Sequence, residues 1–451
     1  MKKSSKLMYV CQGCGYQAPK WLGRCPDCGQ WNSLVEEPVE PLGKSGTPSA
    51  MGKPLRVKEI SLDPELRIRS GIAEFDRTLG GGIVPGSMVL VGGDPGIGKS
   101  TLVLQVAALL ARKGVRALYL SGEESAQQIK MRAQRLGVNP DNLFILNGTC
   151  VEELLRLLED LALGLLVVDS VQTVYTEGIP SAPGSVGQVR EVCTRLLNWS
   201  KSTGVPTLLI GHVTKEGSIA GPKALEHLVD TVLYLEGDAA HAFRILRSVK
   251  NRFGATNEIG VFEMKDRGLE EVGNPSRIFL EERPEGAAGS AVIPCIEGTR
   301  PLLVEVQALV GPSPLGMPRR TAIGVDHNRI SMLVAVLAKR MGMEMGDQDI
   351  FVNVAGGLRV SEPAADLGIV CAMVSSFLDK PLDDNLVVFG EIGLAGEVRG
   401  VNQPEMRLRE AQKLGFSRCL LSRRNMEGAC GFGDMDLVGV ESVRGLLDVL
   451  Y

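Results

Sequence analysis

From about residue 66 to 275, short apolar runs alternate with stretches in which apolar residues recur every three or four positions. The runs Met88-Val89-Leu90-Val91, Arg116-Ala117-Leu118-Tyr119-Leu120, Leu143-Phe144-Ile145-Leu146, Leu165-Leu166-Val167-Val168 and Thr207-Leu208-Leu209-Ile210 have the length and branching of buried strands. Between them, residues 102–110, 124–136 and 151–163 read as helices, as does the spacing of Val186, Val189, Cys193, Leu196 and Leu197. Alternation of this kind predicts an α/β domain over 66–280, with a mainly parallel, helix-flanked sheet closed by a strand-rich stretch from about 230. A second α/β unit is expected over 285–451. Its strands lie near Leu302-Leu303-Val304-Glu305-Val306 and Val387-Val388-Phe389-Gly390, and its helices over 331–341, 364–377 and 406–414. Residues 37–65, rich in Pro, Gly, Ser and Lys, read as a linker that sets apart an amino-terminal module, 1–36.

Composition narrows the class. With 451 residues, 44% hydrophobic and 23% charged, the chain is an ordinary globular protein of two or three domains. A net charge of −4 argues against coating nucleic acid by bulk attraction, although residues 1–34 carry five cations against one acid. No apolar run reaches signal-peptide or membrane-spanning length, so a cytoplasmic protein without a membrane partner is expected.

Two motifs carry chemistry. The apolar run ending at Val91 is followed by Gly93-Asp94-Pro95-Gly96-Ile97-Gly98-Lys99-Ser100-Thr101 and then by a helical pattern. This is a complete phosphate-binding loop in its proper context of strand, glycine turn and helix amino terminus. Lys99 supplies a charge for the β- and γ-phosphates of ATP, and the Ser100 hydroxyl a ligand for Mg2+. Asp169, at the carboxyl end of a buried run, fits the acid that holds Mg2+, with helix capping as the alternative. Glu123 ends the strand after the loop helix, where a carboxylate polarises an attacking water; its neighbour Glu124 is the other candidate base. His212, Thr214 and Lys215 end another strand at the same edge, suited to sensing the γ-phosphate or serving structure alone. In Lys250-Asn251-Arg252-Phe253-Gly254, Lys250 and Arg252 read as phosphate-contacting or finger residues offered across a subunit boundary, or as a surface charge pair.

The second motif is Cys11-x2-Cys14 and Cys25-x2-Cys28, ten residues apart, with Gly13, Gly15, Pro26 and Gly29 at the turns. Four thiolates on two knuckles form the closed shell that Zn2+ prefers; two disulfides, or four idle cysteines, are the rival readings. Trp21 and Trp31 flank the second pair. They read as core of the small fold, with base stacking as the alternative.

Taken together, these residues resemble the bacterial RadA/Sms family of recombination and repair ATPases over essentially the whole chain. The match rests on the four-cysteine finger, Gly71-Ile72-Ala73-Glu74-Phe75-Asp76 with Leu79-Gly80-Gly81-Gly82, the phosphate loop, and Lys250-Asn251-Arg252-Phe253-Gly254. The resemblance implies a RecA-like P-loop ATPase core with Lys99, Ser100, Asp169 and Glu123 in its nucleotide site, and Lys250 and Arg252 coupling turnover to DNA. It implies a homo-oligomeric ring, expected as a hexamer, acting with a RecA-type recombinase on single-stranded and branched DNA by translocation and branch migration. It also implies a carboxyl-terminal Lon-protease-like domain. There Ala364 stands where the nucleophile would be, within Ser361-Glu362-Pro363-Ala364-Ala365-Asp366, and Glu405 stands where the lysine base belongs, so peptidase activity is not expected. The alternatives are an ATP-dependent Lon-type protease and a KaiC-like signalling ATPase; the latter shares the phosphate-loop region but not the finger or the 250–254 element.

Overall fold

The computed structural model describes residues 6–11, 16–26, 29–39, 56, 67–212, 225–237, 243–256, 258–313, 318–429 and 431–451. Two compact units divide between Glu271 and Val272. Cys14, Cys28, Thr214, Lys215 and nearly all of the 40–66 stretch lie outside the described residues.

The amino-terminal module is a small antiparallel sheet of β1 (Lys6–Cys11), β2 (Gln17–Ala18) and β3 (Leu34–Val39), in the order β2-β1-β3. Its core is Cys11, Ala18, Cys25 and Leu34, with Tyr9 and Leu22 packed against it. The tryptophans do not join it, contrary to the sequence expectation: Trp21 is 54% and Trp31 70% exposed. For Trp31 strand alternation supplies the reason. Arg24 pairs with Trp31 in an antiparallel bridge, so when Cys25 points inward both residues of that pair point out.

In the ATPase unit, α1 (Ala73–Thr78) precedes β4 (Met88–Gly93), and α2 (Lys99–Arg112), β5 (Ala117–Ser121), α3 (Ala126–Arg135), β6 (Leu143–Asn147) and α4 (Val151–Glu159) follow. Next come β7 (Leu165–Asp169), α5 (Val186–Thr203), β8 (Thr207–Ile210), β9 (Thr231–Glu236), β10 (Phe243–Asn251), β11 (Ile259–Lys265) and β12 (Gly268–Glu271). The nine strands lie in the order β12-β11-β10-β9-β4-β8-β7-β5-β6, parallel from β9 to β6 and antiparallel from β9 to β12. Period-two alternation builds two cores. Val89, Val91, Tyr119 and Val167 pack with α1, α2 and α3; Met88, Leu90, Leu120 and Val168 pack with α4 and α5. β4 is thus buried on both faces, which is why it reads as an unbroken apolar run. Helix α3 starts where Ser125 and Gln128 form a reciprocal capping box.

The carboxyl-terminal unit begins with α6 (Pro275–Leu280), ahead of the 280–285 gap that the sequence suggested, because α6 packs on a strand of this unit. There follow β13 (Ser290–Glu297), β14 (Arg300–Pro312), β15 (Arg320–Ile323), α7 (His327–Val336), β16 (Gln348–Val354) and α8 (Asp366–Leu378). β17 (Leu386–Phe389), β18 (Glu391–Ile392), β19 (Val398–Arg399), α9 (Pro404–Lys413), β20 (Arg418–Ser422), α10 (Arg423–Gly428), β21 (Asp436–Val440) and α11 (Leu446–Leu450) complete it. Seven strands form a mixed sheet in the order β15-β16-β14-β13-β17-β20-β21. Helix α7 starts earlier than its apolar spacing suggests because the Asp326 carboxylate accepts from the Arg329 amide (2.9 Å) and caps it. No helix among the described residues is long and apolar enough to cross a membrane.

Candidate functional site

The parallel strands of the ATPase unit present their carboxyl ends along one edge, and the phosphate loop leaves β4 there. Two glycines of the loop are dictated by geometry. Gly93 has φ +144° and a Cβ on it would stand 2.4 Å from the Leu235 carbonyl oxygen; on Gly98, φ +117°, a Cβ would stand 2.7 Å from the Met264 side chain. Lys99 and Ser100 open α2, whose first turn carries no acid, so its free amides and positive pole face the loop. The Lys99 ammonium is buried and donates to the carbonyls of Gly93 and Asp94, 2.8 Å each. Burial pushes its pKa down, against the pull of Asp169, Asp94 and Glu123.

Asp169 ends β7, buried, one strand from β5. The Tyr119 hydroxyl donates to its Oδ2 (2.5 Å), and burial together with that carboxylate holds the phenol well above the ordinary tyrosine range. Glu123 follows β5 at the same edge. Its Oε1 accepts from the Ser170 hydroxyl and lies 3.3 Å from His212 Nε2. That imidazole nitrogen is buried and, among the described residues, makes no hydrogen bond beyond this carboxylate contact. Glu124 is differently engaged: its carboxylate pairs with Arg132 of α3 and its carbonyl accepts from Asn147 (2.5 Å). Of the two adjacent acids, Glu123 is the one brought together with Ser170, His212 and Lys99.

Lys250 and Arg252 lie elsewhere. β10 runs antiparallel to β9, so its last residues align with the start of β4: Asn251 pairs with Thr231, which pairs with Val89, while Gly93 aligns with Leu235. Along the strand direction the β4 residues level with Lys250 and Asn251, Leu90 and Val89, therefore precede Gly93 by about 10 and 13 Å at 3.3 Å per residue, and β9 lies between β10 and β4. Lys250 Nζ donates to the carbonyls of Glu226 (2.5 Å) and Val229 (2.9 Å). Arg252 Nη1 donates to Asp230 Oδ1 (3.2 Å), and the other oxygen of that buried carboxylate accepts from the Met88 amide (3.0 Å) and Lys201 (2.9 Å). Arg67 ties the element to the glycine run after α1 through bonds to the carbonyls of Phe253 (2.6 Å) and Leu79 (3.0 Å). The two sequence signatures therefore meet at one edge, opposite the phosphate loop.

In the amino-terminal module the two knuckles are built alike. The Cys11 amide donates to the Tyr16 carbonyl (2.8 Å) and the Cys25 amide to the Gln30 carbonyl (2.9 Å), each closing a loop of the same length around a buried thiol. Two equivalent turns with thiols directed into one small core fit a thiolate-held metal ion. Cys150, Cys193, Cys295, Cys371 and Cys419 are buried singly, and burial pushes Cys193 and Cys371 up to about 12, so they serve as packing.

Three family models match the chain: an AAA domain over residues 57–218, a rubredoxin metal binding domain over 9–36, and subunit ChlI of Mg-chelatase over 314–425. Proteins named DNA repair protein RadA are similar along the whole length. That of Halalkalibacterium halodurans is 52% identical over 99% of both chains, that of Bacillus subtilis 51% over 98% of both, and that of Streptococcus pyogenes 47% over 99% of both. The chain belongs to the RadA family. It carries the AAA-type ATPase domain, the amino-terminal zinc ribbon and the ChlI/Lon-like carboxyl-terminal domain expected of a RadA protein.

Ala364 is buried on the short turn before α8, and Glu405 is exposed on α9 beside Arg409. Arg407, also on α9 and almost wholly buried, makes a bidentate pair with Glu362 (2.8 and 2.6 Å) and donates to the Pro294 carbonyl (2.6 Å). Sequence reasoning missed three residues of the nucleotide edge: Tyr119, Ser170 and Arg244, whose Nε reaches the Ile97 carbonyl from β10 (3.3 Å). A polar-tipped Tyr119 inside an apolar strand was the one available signal.

Proposed function

We propose that the chain is a DNA-dependent ATPase of homologous recombination and repair, processing branched intermediates by ATP-driven translocation on single-stranded DNA. The amides of residues 93–101 cradle the phosphates of ATP, and Lys99 leaves its two carbonyls to meet the β- and γ-oxygens. Mg2+, held by Ser100 and Asp169, would screen phosphate charge. Glu123 takes the proton of the attacking water, Ser170 and His212 orient that carboxylate, and His212 reads the γ-phosphate. Zn2+ on Cys11, Cys14, Cys25 and Cys28 would hold the amino-terminal module together.

The observation that carries this reading is the placement of Lys250 and Arg252 toward the strand end opposite the phosphate loop of their own chain. Cations so placed serve a neighbour's phosphates or a DNA strand, and not their own nucleotide. A homo-oligomeric ring, a hexamer by family resemblance, brings one protomer's 250–254 element to the next protomer's triphosphate edge. A RecA-type recombinase is the proposed partner on the shared DNA. The test is ATP turnover with and without single-stranded DNA. Stimulation by the strand is expected, with Lys250→Ala losing the stimulation but keeping nucleotide affinity. Turnover indifferent to DNA in the unmutated protein would contradict the reading.

A further inference from the structure

The outer face of the amino-terminal module carries two large indoles with no core to fill. Trp21 and Trp31 are 54% and 70% exposed, and between them lies Gly23. A Cβ built on Gly23 would stand 3.6 Å from the tip of the Trp21 ring and 3.9 Å from that of Trp31, so both rings border one point and form a continuous apolar face. Arg24, opposite Trp31 in the bridge, lies with its guanidinium 5.8 Å from the Trp31 ring centroid and is held by a bond from Nε to the Gly29 carbonyl (2.9 Å). Lys20, beside Trp21, is exposed. The module is basic on a chain that is acidic overall: residues 1–34 hold five cations and one acid, against a net charge of −4 for the whole.

Exposed indoles beside a held arginine and an exposed lysine suit a ligand that offers flat π-faces along a polyanion. Single-stranded nucleic acid has that chemistry, because its bases are free to stack while its phosphates meet the arginine and lysine. We propose that Trp21 and Trp31, with Arg24 against the Trp31 ring, form a stacking platform for the bases of single-stranded DNA. This deepens the DNA-dependent reading above and rests on it.

The test uses the full chain, a fluorescein-labelled oligothymidylate and an abasic strand of equal length. In Trp21→Ala/Trp31→Ala, affinity for thymidylate should fall about fivefold or more per indole removed, while affinity for the abasic strand stays unchanged. Zinc content equal to that of the unmutated protein checks that the module is folded, and Trp31→Phe should recover most of the loss. A second measurement needs no truncation of the platform. In Trp199→Phe the remaining tryptophans are Trp21 and Trp31, and thymidylate should quench their fluorescence. Unchanged thymidylate affinity in the double variant, as a protein-docking face would give, overturns the platform alone; so does an equal loss on the abasic strand, or absent quenching. Failure of the unmutated chain to bind single strands overturns both readings.

Discussion

Lys99→Ala separates what the buried ammonium does for the fold from what it does for the ligand. Without nucleotide its charge is almost fully buried and satisfied by two backbone carbonyls, and burial outweighs the nearby carboxylates in setting its pKa. Removing it should therefore change the stability of the nucleotide-free ATPase unit by no more than about 1 kcal/mol, in either direction. The pH dependence has a definite sign. With the folded pKa below the ordinary lysine value of 10.5, the unfolded chain holds the proton over the window between the two, so stability rises with pH there and Lys99→Ala lacks that rise. With nucleotide the balance reverses. Two charge-assisted bonds to phosphate, about 1.5–3 kcal/mol each, place the loss of affinity at about 100-fold or more. A non-hydrolysable ATP analogue at about 100 times the wild-type Kd adds about 2.7 kcal/mol to the wild type and only about 0.4 kcal/mol to the variant. Fluorescent-nucleotide titration and thermal shift read both quantities. A variant that keeps the full ligand-induced shift would refute the phosphate assignment of Lys99.

Other perturbations test the remaining parts of the molecule. Tyr119→Phe removes the hydroxyl bound to Asp169 and should destabilise the ATPase unit by about 1.5–3 kcal/mol while raising the Mg2+ concentration needed for turnover; a denaturant melt and a Mg2+ titration that both match wild type would count against it. Cys25→Ser should release zinc and expose the amino-terminal module to protease while nucleotide binding persists, as metal analysis and limited proteolysis would reveal. Glu362→Ala leaves the Arg407 guanidinium buried without its carboxylate and should destabilise the carboxyl-terminal unit by about 3–5 kcal/mol, measured as a shift of that unit's unfolding transition.

What could be read from the chain followed the strength of each local signal. β4, β5, β7 and β8 are buried on both faces, so their apolar runs stand out, and a glycine loop followed by a helix has few other structural meanings. Helix ends were less visible. α4 stops at Glu159, although the apolar pattern continues to Leu163, because Asp160 ends the hydrogen-bonded run; α7 starts at its Asp326 cap rather than at its first apolar residue. The tryptophans of the amino-terminal module went the other way. Hydrophobicity alone argued for core, but for Trp31 pairing register decides the face it takes, and that register is fixed by a turn closing around Cys25. Contacts between distant segments were invisible to local reading. The Tyr119–Asp169 bond joins neighbouring strands, Arg244 reaches the phosphate loop from β10, and the choice of Glu123 over Glu124 depends on Arg132 from α3. The separation of Lys250 and Arg252 from the phosphate loop likewise emerges only from the antiparallel register of β9 and β10.

Mixing two inactive proteins tests directly whether one protomer's Lys250 and Arg252 complete the next protomer's triphosphate edge. Lys99→Ala keeps its 250–254 element but has no working phosphate loop; Arg252→Ala keeps its loop but cannot supply the arginine. With single-stranded DNA present, each alone should turn over little ATP, and their mixture should recover turnover at the boundaries where an intact loop meets an intact arginine. A mixture no more active than its components, with Arg252→Ala still binding nucleotide and both proteins assembling, would contradict the claim.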